Sequence, residues 1–169
     1  HAYAVGSDTQ RALVPVVSGR PLSATPHSRV EWPLVQDEAD TLAERLGRVG
    51  YATGAVTSFT WLRRDRGFAQ GFASFDESPF RGRHPERDST GPAAVTAARA
   101  LYARLAADPA PLFLWVHLFD AHRRYLAHDG IDFGKDQKGL YLGEVAFVDG
   151  RLGELVAMVA AGPRAGRTL

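Results

Sequence analysis

Asp120, His122, Arg123, Arg124 and Tyr125 crowd one short stretch directly behind the apolar run Leu112–Phe119. An imidazole among cations suits an anionic ligand, since it can donate a hydrogen bond to an oxygen or protonate a leaving group. Asp120 either orients that ring or caps the turn. His117, embedded in the apolar run, sits where a core histidine usually does. Arg123 and Arg124 offer charge for an anionic substrate, or are simply solvated. Far upstream, Gly6-Ser7-Asp8-Thr9 supplies turn and helix-cap residues, with Arg11 just behind them.

The placement of the first cluster follows from the elements around it. Leu112 to Phe119 is continuous, apolar and aromatic, which predicts a strand covered on both faces. Ligands in open α/β sheets bind just beyond the carboxyl ends of strands, which is where Asp120 and His122 fall. A helix is expected over about Gln10–Ser18, with apolar Ala12, Leu13, Val16 and Val17 and a stop at Gly19. A second carries Ala39, Leu42, Ala43, Leu46 and Val49, with Asp37, Glu38 and Asp40 in its first turn and Gly50 as its end. Tyr51–Thr57 then suits a strand, giving the αβ half of a repeating α/β unit. Residues 20–37 and 59–92 read as irregular, the latter as a long surface excursion with at most one short helix near Trp61–Arg66. Ala93–Ala107 predicts a helix, and a last one runs from about Tyr141 to Ala161.

Composition narrows the chemistry. The 169 residues are 45% hydrophobic and 23% charged, enough for one substantial core. Twenty basic against nineteen acidic residues leave a net charge of +1, which gives no electrostatic case for a nucleic-acid partner. With no cysteine, thiolate metal sites, disulfides and cysteine nucleophiles are excluded. No run of eighteen apolar residues predicts a membrane span.

Three separated stretches resemble the sulfatase family of the alkaline phosphatase superfamily. Thr41-Leu42-Ala43-Glu44-Arg45-Leu46 through Gly50-Tyr51-Ala52-Thr53 is similar to the family's T-L-A-x-x-L-x-x-x-G-Y-x-T, and Gly67 to Phe72 to its G-x-x-x-G-F. Phe113 to His122 is similar to F-x-W-V-H-x-x-D-P-H, and Tyr141 to Asp149 to Y-x-x-E-V-x-x-V-D. The resemblance implies an alkaline phosphatase-like α/β/α sandwich with a mostly parallel sheet, incomplete at both ends. Residues 1–169 would be an internal part of a single catalytic domain. It also implies a metal-dependent hydrolase of sulfate or phosphate esters, using calcium or magnesium, whose carboxylate ligands lie outside this chain. An anionic small molecule, glycan or lipid ester would be the substrate.

By the same resemblance, counting back from Ser18-Gly19 places the nucleophile at Thr9, whose oxygen would also touch the metal. His122 takes the position of the family's imidazole at the ester oxygens. Arg11, Asp120 and His117 would contact the substrate or the groups around it. A hydroxyl in the first turn of a helix lies in the field of unpaired backbone N–H groups, which favours an alkoxide and an incoming anion. The chain departs from the family in four places. Thr9 stands where a cysteine or serine is needed, so no formylglycine is expected. The signature proline is missing, the loop prolines are Ala121 and Arg124, and the lysine-histidine pair is replaced by Val56-Thr57-Ser58. Two alternatives follow: a phosphoethanolamine- or glycerol-phosphate-type transferase with a threonine nucleophile, and a non-catalytic anion-binding relative. Glu144 and Asp149 are expected to cap and pack.

Overall fold

The computed structural model describes residues 6–26, 35–84 and 87–168, the side chains of Gln10 and Arg11 excepted. Its centre is a parallel sheet of three strands, β1 (Ala52–Val56), β2 (Ser74–Asp76) and β3 (Leu112–Val116), in the order β2-β1-β3. Four helices surround it: α1 (Thr9–Ser18), α2 (Leu42–Arg48), α3 (Gly91–Ala106) and α4 (Gln137–Ala160).

The pleat of β3 sorts its residues to two faces. Leu114 and Val116 join Val56 of β1 against Ala94, Ala97, Ala98 and Leu101 of α3, with Leu155 of α4 behind. Trp115 joins the opposite core, where Val14 and Val17 of α1 pack with Val35, Ala39, Leu62 and Phe68. Helices therefore cover both faces, the expected α/β/α sandwich. Gly54 lets α3 approach β1, since a Cβ there would lie 2.5 Å from the Leu105 side chain.

Local signals explain the helix ends. α1 opens with the Ala12 N–H donating to the Asp8 carbonyl at 3.0 Å and ends at Gly19, whose φ is +66°. α2 starts at a capping box: the Thr41 hydroxyl accepts from the Glu44 N–H, and the Glu44 carboxylate accepts from the Thr41 N–H at 2.8 Å. The acidic residues expected in its first turn therefore precede it. Asp40 instead binds Arg48 and Arg45, and the Arg48 guanidinium in particular holds its carboxyl below the usual range. α4 begins four residues earlier than the apolar pattern suggests, because Asp136 caps it by accepting from the Gly139 N–H at 2.8 Å.

Two expectations need correction. The 59–92 stretch is no surface excursion: it supplies β2, and Leu62, Phe68, Pro79 and Phe80 from it are buried. A three-residue strand is too short to leave an alternating pattern, and its core residues are spaced by turns rather than by a helix or strand period. β3 is half-buried along its whole length rather than fully covered, since among the described strands it lies at the sheet's edge. Among the described residues, no helix is long and apolar enough to cross a membrane.

Candidate active site at the carboxyl edge of the sheet

β1 and β3 run in register, Val56 opposite Val116, so the segments that follow them leave the sheet side by side. The His117 N–H extends the ladder by donating to the Val56 carbonyl at 2.9 Å, and the Ser58 hydroxyl donates to the His117 carbonyl at 2.7 Å. His117 thus points from the edge of the core, its ring 6.3 Å from those of Trp115 and Phe119. Burial pushes its pKa down to about 4; the Asp120 carboxylate opposes that and His122 adds to it. Near neutral pH the His117 ring is therefore uncharged, able to donate one hydrogen bond but no positive charge.

Asp120 is buried and turned toward α3. One carboxylate oxygen accepts from the Ser89 hydroxyl at 2.5 Å and from the Thr90 N–H at 2.8 Å, and the other lies 3.4 Å from the Thr90 hydroxyl. A carboxylate at a helix N-terminus meets unpaired N–H groups and the positive end of the helix dipole. Of its two sequence readings, the structure realises a cap, but on α3 rather than on its own turn.

His122 is exposed, and its ring stacks on Phe119 at 4.5 Å, which stacks on Phe59 at 4.0 Å. Its Nδ1 lies 2.6 Å from the Arg123 carbonyl oxygen. A carbonyl only accepts, so Nδ1 carries a proton and Nε2 is left for a ligand. The aromatic stack and this bond together fix the ring at the rim of the sheet.

Thr9 is the first residue of α1. Val16 and Val17, further along the helix, line an apolar cavity of about 210 Å³ with Phe113 and Trp115, and Leu13, Val14 and Val17 pack in the core with Phe59, Leu62 and Trp115. No hydrogen bond among the described residues joins Thr9 to His122. The Arg11 side chain lies outside the described residues, so its expected contact with the substrate has no structural account.

The structure also brings in His128, which the sequence did not single out, as a partner of Glu144. Glu144, buried in α4, accepts from the Leu126 N–H at 2.7 Å with one oxygen and binds His128 Nε2 at 2.9 Å with the other. His128 in turn stacks on Phe147 at 3.7 Å. These contacts tie the loop that follows His122 to the helix. Packing was foreseen for Glu144, but its partners were not, because they lie in a loop without a period.

Neither a protein-family model nor a curated protein sequence matches the chain. Solved structures do. Ps i-CgsB, free and in complex with k-i-k-neocarrahexaose, superposes with a TM-score of 0.67 at 15% identity, over 93% of this chain and 45% of that one. A protein in the alkaline phosphatase superfamily from Vibrio parahaemolyticus superposes with a TM-score of 0.67 at 20% identity, over 95% of this chain and 41% of that one. The fold is alkaline phosphatase-like. The chain spans less than half the length of these neighbours. Within this alkaline phosphatase-like fold, no group of three or more His, Asp or Glu side chains among the described residues could hold a metal ion. The residues described here do not by themselves fit the expected cation.

Proposed function

We propose that the chain forms part of the catalytic domain of a sulfatase-like hydrolase acting on sulfate or phosphate esters, with an anionic glycan as the favoured substrate class. The observation that carries this reading is His122: a ring fixed at the carboxyl edge of a parallel sheet, its Nδ1 engaged and its Nε2 open. The glycan preference is supported by the oligosaccharide bound to Ps i-CgsB.

In this reading the Thr9 hydroxyl passes its proton to solvent as its oxygen attacks the sulfur or phosphorus, and the bond to the leaving oxygen breaks. His122, as imidazolium, gives its Nε2 proton to that oxygen and keeps the Nδ1 proton, for which the Arg123 carbonyl is the matching acceptor. Water then attacks the sulfur or phosphorus and gives a proton to the now neutral His122 ring, and the Thr9 oxygen leaves and regains a proton from solvent. The N–H groups in the first turn of α1 stabilise the negative oxygens. A divalent cation, calcium or magnesium, would touch the Thr9 oxygen and would have to draw its other ligands from residues other than those described.

The test is turnover of a chromogenic sulfate ester and its phosphate counterpart by the full-length protein. Thr9→Ala and His122→Ala are each expected to lower kcat by about a hundredfold or more, the scale of removing a nucleophile or a general acid. Unchanged kcat in both variants refutes the assignment. Threonine in the nucleophile position also favours the transferase alternative, in which an acceptor hydroxyl replaces water; transferred product in the presence of a glycan or lipid acceptor distinguishes it.

A further inference from the structure

We infer that the open pocket next to His122 is a binding subsite for a sugar unit bearing a sulfate or carboxylate group, distinct from the ester that His122 would serve. The pocket holds about 560 Å³ and is lined by Arg123, Tyr125, Gln137, Lys138 and Tyr141. Roughly 300–1,000 Å³ is usual for a small-molecule cleft. That the ligand belongs to a substrate rests on the hydrolase reading; the pocket itself stands on its own side chains.

Two distant segments build it. Gln137 and Lys138 open α4, and Tyr141, four and three residues on, lies on the same helical face. Arg123 and Tyr125 come from the loop behind β3. What holds the loop against the helix is Glu144, one turn below Tyr141, through its bond from the Leu126 N–H at 2.7 Å. The Tyr125 and Tyr141 rings consequently meet at 5.2 Å with their planes 56° apart, forming two aromatic walls.

The chemistry of the lining is one-sided. It contains two cations and no carboxylate. Neither Arg123 nor Lys138 forms an ion pair among the described residues, and neighbouring Asp136 has turned an oxygen to the Gly139 N–H. A guanidinium fork and an ammonium suit the oxygens of a sulfate or carboxylate. Aromatic walls suit the C–H face of a sugar ring, and Gln137 with the two phenol groups can bond its hydroxyls. A free inorganic anion would use only the cations, so the tyrosines favour an acidic sugar.

The experiment titrates the protein calorimetrically with a sulfated galactan hexasaccharide, its desulfated counterpart and inorganic sulfate. We expect the sulfated form to bind at least about tenfold more tightly than the neutral one. Arg123→Gln and Lys138→Gln should each weaken the sulfated ligand about three- to tenfold, within the range for single charge-assisted contacts. Tyr141→Ala should weaken both oligosaccharides. Equal affinity for both oligosaccharides, no binding, an unaffected Arg123→Gln/Lys138→Gln double variant, or inorganic sulfate binding as tightly as the hexasaccharide would overturn the inference. Thermal melts of each variant exclude unfolding as the cause of a loss. Turnover of a small chromogenic ester is read separately. Turnover without oligosaccharide binding removes only the subsite, and binding at the pocket without turnover removes only the hydrolase.

Discussion

Replacing Glu144 by leucine should unfold the loop that carries the candidate site before it affects the rest of the molecule. The side chain is 1% exposed, and both carboxylate oxygens are engaged, by the Leu126 N–H at 2.7 Å and by His128 Nε2 at 2.9 Å. Leucine preserves most of the volume but strands both groups. Each buried polar group left without a partner costs about 1–3 kcal/mol, and removing one member of a buried pair costs about 3–5 kcal/mol. A loss of about 3–5 kcal/mol is a large share of a domain stability of about 5–15 kcal/mol. Glu144→Gln keeps one acceptor oxygen for the Leu126 N–H, so it should lose only about 1–2 kcal/mol. Urea unfolding followed by tryptophan fluorescence measures both. With a slope near 2 kcal/mol/M, the leucine variant should unfold at a midpoint about 2 M lower. Amide exchange at Leu126 should accelerate in the leucine variant more than exchange in β1. A leucine variant within about 1 kcal/mol of the parent, with Leu126 still protected, would refute the view that this carboxylate fastens the loop.

Three further outcomes follow from the same geometry. The His117 pKa is pushed from 6.5 to about 4 by burial, so between those values the unfolded chain binds a proton that the folded chain does not. Stability is then full above pH 6.5 and falls as pH drops toward 4, by up to about 3 kcal/mol at about 1.4 kcal/mol per pH unit. His117→Gln should flatten that part of the curve in urea titrations, and superimposable parent and variant curves would exclude the effect. Gly71 has φ +81°, and a Cβ there would lie 2.2 Å from the Glu44 nitrogen, whereas Gly50, at φ +89°, has nothing within 4 Å. Gly71→Ala should therefore cost more than about 3 kcal/mol and Gly50→Ala only about 1 kcal/mol, compared by thermal melts; equal losses would show that the close approach to α2 is immaterial. The Thr57 hydroxyl is fully buried and has no hydrogen-bond partner among the described residues. Thr57→Val should leave stability within about 1 kcal/mol of the parent or raise it, and a larger loss on unfolding would mean that the hydroxyl has a partner.

Much of the frame is legible in the residues because it rests on local rules. The Leu112–Val116 strand, the alanine-rich α3 and the helix from Thr9 to Ser18 each announce themselves by a run, a period or a stop signal. The capping box at Thr41 and Glu44 is also written in the sequence, yet three acidic residues just before it suggested an earlier start. β2 was illegible because three residues carry no period, and Leu62 and Phe68 because turns, not elements, deliver them to the core.

The sequence alone determined that a histidine follows an apolar strand and that turn and cap residues ending at Thr9 lead into the first helix, since both depend only on neighbours in the chain. Tertiary structure alone decided what surrounds them. It turned Asp120 to α3, lowered the affinity of His117 for a proton by burying it, and used Glu144 to draw the Tyr125 loop against Tyr141. Each of these depends on which groups, remote in sequence, compete for the same hydrogen bonds and the same dry space. No local pattern encodes that competition.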